Sequence, residues 1–159
     1  MGVILLTYEN LLAEADNEKL IVKEKDIDGY SGRIYKNRIA IHHKIPTSTE
    51  KACVLAEELG HYYTTTGDIL DQSRTENRKQ EYHARLWAYN KQIGLMGIVK
   101  AYQYGCRNSY EVADYLGVTE EFLADALKAY KSKYGICATV DNYIVYFEPY
   151  VGIMEIKTD

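Results

Sequence analysis

Residues 55–61 read Leu55-Ala56-Glu57-Glu58-Leu59-Gly60-His61. Residues four apart on a helix lie on one face, with Cβ atoms about 5–6 Å apart, so Glu57 and His61 can point at one ion. Glu58 is turned roughly 100° round the helix axis from Glu57. The stretch differs by one residue from the helix motif in which two histidines hold zinc and a glutamate acts as general base. It therefore predicts a metal site with an altered ligand set.

The sequence before this stretch predicts where its helix begins. Pro46 interrupts the chain, and Thr47-x-x-Glu50 forms a capping box, so a helix is expected to start near Ser48. It is expected to stop near Thr66-Gly67. Apolar residues then recur at helical spacing and predict a face turned to the core: Ala52, Leu55, Leu59 and Tyr62.

One helix cannot complete a catalytic zinc site, because such a site takes three protein ligands. Glu81 lies on a second predicted helix, 76–92, on the side that also carries Ala84 and Ala88. These small residues, with Gly60 on the first helix, would let the two helices approach closely. An alternative stays open, since Glu57 and His61 also form an ordinary helix-stabilising pair worth a few tenths of a kcal/mol.

Other polar residues near the motif have weaker indications. His42 or His43, at the end of a preceding strand, could in principle reach the site, whereas His83 is about 200° round its helix from Glu81 and should point away. A hydroxyl of Tyr62 or Tyr63 could approach a developing oxyanion, although core packing is expected for at least one of them. A basic cluster on the second helix is expected to form a solvated face: Arg74, Arg78, Lys79 and Arg85.

The remaining pattern predicts an α+β fold. A helix over 8–20 and a strand over 20–25 precede two strands, 32–35 and 38–42, joined by a hairpin turn at Lys36-Asn37; together the three strands predict a small antiparallel sheet. After two short helices, strands at 136–140 and 143–147 form a second hairpin, with a further strand at 151–156. We expect one domain over 1–159, with a metal-site core (1–95), a helical part (96–134) and C-terminal strands (135–159).

The two short helices, 109–116 and 119–134, have the appearance of a helix-turn-helix, with Gly117 in the turn and Thr119 as N-cap. In that motif the first residues of the second helix meet bases and phosphates. Here those residues are Glu120 and Glu121, whose charge repels phosphate. Structural packing is therefore the favoured role, and direct DNA binding is not expected.

Composition narrows the class of protein. The 159 residues carry a net charge of −4 and have a pI of about 5.6, which argues against a general nucleic-acid or anionic-membrane surface. Three widely spaced cysteines, Cys53, Cys106 and Cys137, predict reduced thiols in a cytoplasmic protein. The start of the chain has four aliphatic residues in a row and no basic flank, so neither a signal peptide nor an anchor is expected.

The run Glu50-Lys51-Ala52-Cys53-Val54-Leu55-Ala56-Glu57-Glu58-Leu59-Gly60-His61-Tyr62-Tyr63, followed by Glu81-x-x-Ala84-x-x-Trp87-Ala88, resembles the ImmA/IrrE family of metallo-endopeptidase-like proteins of phages and mobile elements. The resemblance implies a zincin-like fold, in which the N-terminal sheet packs on the metal-motif helices. It implies zinc held at the positions of Glu57, His61 and Glu81, with Glu58 as general base. It also implies a protein substrate or partner, by analogy a helix-turn-helix repressor.

The chain departs from the family pattern at Glu57, where histidine is usual. Two carboxylates and one imidazole would neutralise a divalent ion, so the ion should polarise its water less, and Mn²⁺ or Fe²⁺ could compete with Zn²⁺. Two functions follow: a metal-dependent endopeptidase, or a non-catalytic regulator that retains the peptidase shape. A DNA-binding switch is the least favoured because of the acidic helix start.

Overall fold

A computed structural model describes residues 6–65 and 74–157. By their contacts these residues divide into two compact units, one formed by Leu6–Lys91 and the other beginning at Gln92. The predicted α+β class is confirmed. The first unit contains α1 (Tyr8–Asn17), β1 (Ile21–Lys25), β2 (Gly32–Tyr35), β3 (Arg38–His42), α2 (Ser48–Thr64) and α3 (Arg74–Gln92), whose last residue lies at the boundary.

The first sheet has the strand order β1-β3-β2. The predicted hairpin of β2 and β3 is confirmed, although Lys36 rather than Asn37 takes the left-handed backbone conformation, with φ of 54°. The expectation of a purely antiparallel sheet is wrong for β1, which pairs in parallel with β3. The physical reason is that β3, with Ile39 and Ile41 buried, is the central strand. The short connection 26–31 joins the end of β1 to the start of β2 across the end of β3, so β1 runs parallel to β3.

Helix α2 begins as its capping box predicts. The Thr47 hydroxyl accepts a hydrogen bond from the Glu50 amide at 3.1 Å, which satisfies one of the free amides at the helix start. The helix ends at Thr64, close to the predicted stop; Thr66 and Gly67 themselves lie outside the described residues. Its buried face includes three of the four predicted core positions: Ala52, Leu55 and Leu59.

Helices α2 and α3 come into backbone contact at Gly60. A Cβ atom added to Gly60 would lie 2.2 Å from the carbonyl oxygen of Ala84, so only glycine fits there. Ala84 and Ala88 are fully buried, as the small residues of α3 predict. One turn further along α2, the ring of Tyr63 stacks on that of Trp87 with centroids 4.9 Å apart. This contact fixes α2 and α3 side by side.

The second unit contains α4 (Gly94–Tyr104), α5 (Ser109–Leu116), α6 (Glu120–Tyr134), β4 (Cys137–Val140), β5 (Tyr143–Tyr146) and β6 (Gly152–Glu155). The strands form an antiparallel sheet in the order β4-β5-β6. In the α5–α6 turn Gly117 has φ of +69°, and Thr119 caps α6 by accepting from the Phe122 amide. Helix α4 was not predicted, because Gly94 and Gly97 indicated only the end of the preceding helix.

Within the described residues, no helix is long and apolar enough to cross a membrane. The side chains that form the predicted site all belong to the first unit, on α2 and α3. The fold therefore positions the site through a single helix pair and the sheet beside it.

We predict that Gly60→Ala lowers the free energy of unfolding of the first unit by about 1–3 kcal/mol. The new methyl group would collide with backbone atoms of Ala84, which cannot rotate away as a side chain can. Chemical denaturation of the variant measures the loss. Gly152→Ala is the matched control: Gly152 has open space around its Cβ position and no positive φ. Equal stability of the Gly60 variant and the native chain would contradict the close approach of the helices.

Candidate active site

The centre of the candidate site is a contact between α2 and α3. The Nε2 atom of His61 lies 3.1 Å from Oε2 of Glu81, and the two side chains are 23% and 42% exposed. The hydrogen bond from His61 is the largest cause of the lowered pKa of Glu81, and the same bond raises the pKa of His61. Two of the predicted ligands are therefore brought together from helices that the Gly60 contact holds side by side.

Glu58 is a buried carboxyl group beside this pair. Burial raises its pKa from the usual 4.5 to about 7, although the charge of His61 acts in the opposite direction; the charges of Glu57 and Glu81 raise it further. On the sheet side, Oε1 of Glu58 lies 3.1 Å from the point where a Cβ on Gly32 of β2 would stand. The carboxyl group is thus enclosed between α2 and β2, with a pKa suited to proton transfer near neutral pH.

Glu57 is half-buried on α2, one turn before His61. Its charge raises the pKa values of Glu58, His61 and Arg85, so its carboxylate contributes to the electrostatics of the same site. The helix geometry puts Glu57 and His61 on one face. Glu57 is therefore the third acidic group around a histidine that is already paired with Glu81.

The donor set suits a divalent ion in part. Two ligands of one tetrahedral zinc ion are separated by roughly 3.3 Å, given bonds of about 2.0–2.1 Å, and the 3.1 Å contact of His61 and Glu81 is close to that separation. Across 6–65 and 74–157, however, no three His, Cys, Asp or Glu side chains already form a metal-binding group. Two of the predicted donors therefore lie at a separation that suits a shared ion, and Glu57 is connected to them through its charge.

Arg85 is the site residue that sequence reasoning assigned to a solvated face. Its Nε donates a hydrogen bond of 2.9 Å to Oε1 of Glu81, the carboxylate whose other oxygen contacts His61. Burial acts to lower the pKa of Arg85, but the charges of Glu57 and Glu81 together outweigh it and the pKa is raised. Its spacing of four from Glu81 was a signal for this pair. The importance of Gly32 had no such signal, because it depends on the packing of β2 against α2.

The other histidines lie in different surroundings. His42 is 3.5 Å from Asp26, accepts a hydrogen bond from the Lys44 amide at Nδ1, and stacks on His43. His83 is exposed and contacts Tyr82 edge to face, as expected for a residue that points away from Glu81. These contacts account for the three rings without any part in the His61–Glu81 site.

Tyr62 and Tyr63 are turned toward α1. Their hydroxyls donate hydrogen bonds of 3.3 Å to Glu18 and Glu14, respectively. Burial, with the charges of Glu14 and Glu18, raises the pKa of Tyr63 to about 12. The sequence left open an approach of either hydroxyl to an oxyanion; in the structure both are hydrogen-bonded instead to α1 and its C-cap.

Comparison with known proteins identifies the family of the chain. The IrrE N-terminal-like domain of the Peptidase M78 family matches residues 4–128, which include the whole His61–Glu81 site. No curated protein and no solved structure matches the chain. The matched range covers most of the 159 residues. The chain therefore belongs to the Peptidase M78 family and is a metallopeptidase-like protein of the ImmA/IrrE type.

Proposed function

We propose that this protein is a metal-dependent endopeptidase that cleaves a protein partner. In this proposal Glu57, His61 and Glu81 hold the metal ion and Glu58 is the general base. The observation that carries the proposal is the position of Glu58: a buried carboxyl group with a pKa of about 7 beside the His61–Glu81 contact. A carboxyl group with such a pKa can both accept and return a proton at neutral pH.

The proposed reaction assigns a distinct task to each side chain. Glu58 takes a proton from the attacking water and later passes it to the nitrogen of the leaving amine. In the metal-free chain Glu81 accepts a hydrogen bond from Nε2 of His61; a bound ion would take the place of that proton, and both side chains would then hold the ion. When bound, a divalent ion would polarise the water and the peptide carbonyl as a Lewis acid. With two carboxylates and one imidazole, the ligand set suits Zn²⁺ and also admits Mn²⁺ or Fe²⁺.

The partner that we propose is a helix-turn-helix repressor of a phage or other mobile element, as the family resemblance implies. We also propose that the protein acts in the cytoplasm. Cys53, Cys106 and Cys137 support this location, because none of the three forms a disulfide within the described residues and reduced thiols are typical of that compartment.

The titration of Glu58 predicts how stability depends on pH. Because its folded-state pKa is raised, folding favours the protonated form, and stability is lost as pH rises from 4.5 to about 7. We predict that Glu58→Gln matches the native chain at pH 4 but is more stable at pH 8, by about 1–3 kcal/mol. Denaturant unfolding of the metal-free protein at the two pH values measures the difference.

Glu81→Gln is the matched control for this measurement. The pKa of Glu81 is lowered, so its carboxylate stabilises the folded state above its usual pKa, and that stabilisation is lost as pH falls. The Glu81 variant should therefore be less stable than the native chain at pH 8, the opposite sign to Glu58→Gln. A Glu58 variant that is also less stable at pH 8 would contradict the burial of a charged carboxyl group.

The assignment of the base predicts that Glu58→Gln lowers the rate of repressor cleavage by about 10²–10⁴-fold while metal content persists. Mass spectrometry of a helix-turn-helix repressor incubated with the metal-loaded protein measures cleavage, and elemental analysis measures the metal. Glu121→Gln makes the same chemical change at an exposed position and should leave the rate unchanged. Cleavage that survives Glu58→Gln would show that the base is wrongly assigned.

A second candidate function is a non-catalytic regulator that binds its partner without hydrolysis. The observation that favours it is Arg85, whose guanidinium donates to Glu81 and lies in the field of Glu57. A cation fixed in the chain can neutralise these carboxylates without a metal. In this function the replacement of histidine by Glu57 has removed the hydrolytic activity. The site is then a set of ionic contacts between Arg85 and the two glutamates, without a metal ion.

Metal content separates the two functions. The endopeptidase should retain about one equivalent of metal when purified without chelator, and Glu57→His should bind zinc more tightly, since it restores the two-histidine ligand set. Competition with a zinc-binding dye measures affinity. Asn77→His adds a histidine at an exposed position of α3 and controls for unspecific binding. No metal in the native chain, with none regained on dialysis, would favour the regulator.

A further inference from the structure

The face of the first sheet that points away from α2 carries a group of exposed cations. Cross-strand neighbours share a face, and successive residues alternate between faces. Gly32 points toward Glu58 and Val54 of α2, and Glu24 pairs with Lys51 of α2 at 2.6 Å, so this row of the sheet faces the helix. The alternate rows therefore face away from it.

Two of these alternate rows define what we name the basic face. One row aligns Lys23, Ala40 and Arg33, and the next aligns Ile21, Arg38 and Tyr35. Lys25, which pairs with His42, lies two residues beyond Lys23 on β1 and therefore on the same face. Adjacent strands are about 5 Å apart and alternate residues on one strand roughly 7 Å apart. Four cations therefore lie within a patch about as wide as the sheet: Lys23, Lys25, Arg33 and Arg38.

The cations of the basic face have no ionic partner in the part of the chain that is described. None of the four forms a salt bridge there, and the nearby carboxylate of Asp26 contacts His42 instead. All four are exposed. Unpaired like charges gathered on one small patch repel one another, and a bound anionic group would relieve that repulsion.

The basic face is grooved rather than flat. A groove of about 270 Å³ runs over it. The small side chain of Ala40 lies at its centre between Lys23 and Arg33, and Ile21 and Ile27 add apolar surface. Ile21 is 44% exposed, although it is aliphatic. The groove thus offers an apolar floor for an aliphatic side chain and cations at its rim for carboxylates.

The charge distribution of the whole chain favours a short acidic segment over nucleic acid as the occupant. Residues 19–44 carry seven Lys and Arg against three Asp and Glu, within a chain whose net charge is −4. The rest of the chain is therefore strongly acidic and repels a long polyanion. A short peptide meets only the basic face. Its aliphatic side chains can also use the apolar floor, which phosphates do not require.

We propose that the basic face binds an acidic segment of a partner protein, with an aliphatic side chain of that segment in the groove over Ala40. This binding lies on the side of the sheet opposite α2, so it does not depend on metal or on hydrolysis at Glu58. It adds a second point of contact with a protein, separate from the candidate active site, and the two can be tested independently.

The test measures fluorescence anisotropy of a labelled decapeptide that has four carboxylates around a central leucine, with the metal-free full chain. We expect binding that weakens as salt increases. Lys23→Glu with Arg38→Glu should weaken it by about tenfold or more, since two attractions become repulsions. The matched control is Lys100→Glu with Arg107→Glu, which makes the same charge change at exposed positions of the second unit and should leave affinity within about twofold.

Three results would overturn the proposal. The first is absence of peptide binding at low salt. The second is equal weakening by the control variant, which would mean that net charge rather than the basic face determines affinity. The third is tighter binding of a single-stranded pentanucleotide of equal charge, with the same sensitivity to Lys23→Glu and Arg38→Glu, which would make nucleic acid the occupant. Circular dichroism of both double variants confirms that they are folded.

Discussion

The backbone contact between α2 and α3 at Gly60 is the constraint on which the candidate site depends. A methyl group at this position would lie 2.2 Å from the Ala84 carbonyl oxygen, so the helices can be this close only because Gly60 has no side chain. His61 follows Gly60 directly and Glu81 precedes Ala84 by less than one turn. The same approach therefore sets the 3.1 Å distance between the His61 and Glu81 side chains.

The electrostatics of the site follow from how deeply each glutamate is buried. Glu58 is enclosed by α2 and β2, and the loss of water raises its pKa to about 7. Glu81, which is more exposed, keeps its charge because it accepts hydrogen bonds from both His61 and Arg85. Two glutamates of one site thus have opposite pKa shifts: one is suited to exchange a proton and the other to remain ionised.

Local signals in the sequence predicted the elements that depend on local chemistry. The Thr47 cap of α2, the hairpin of β2 and β3, and the Gly117 turn with its Thr119 cap all rest on residues within four positions of one another. The pairing of His61 with Glu81 was also foreseen, because small residues on both helices indicated a close approach. The parallel direction of β1 was not predicted, because it depends on β3 lying between β1 and β2 in the sheet.

Two features of the site could not be derived from spacing alone. Gly32 touches Glu58 only through the packing of β2 on α2, which no local pattern encodes. The spacing of four indicates the pair of Arg85 with Glu81, whereas the interaction of Arg85 with Glu57 depends on the three-dimensional arrangement of α2 and α3. Helix α4 was not predicted from the sequence, because Gly94 and Gly97 indicate the end of a helix. In the structure Gly94 instead begins a new helix, with a left-handed φ of +66°.

Glu57 and Arg85 have to be considered together. A histidine at position 57 would leave Arg85 with Glu81 as its acidic neighbour, whereas a glutamate adds a second negative charge that acts on the guanidinium. The same two carboxylates are the oxygen ligands proposed for the metal. A divalent ion held by these proposed ligands would therefore compete with Arg85 for one pair of negative charges, and each tenfold difference in apparent metal affinity would correspond to about 1.4 kcal/mol in that competition. Under the proposed function, glutamate at position 57 would thus change the strength of an internal competitor as well as the identity of one ligand.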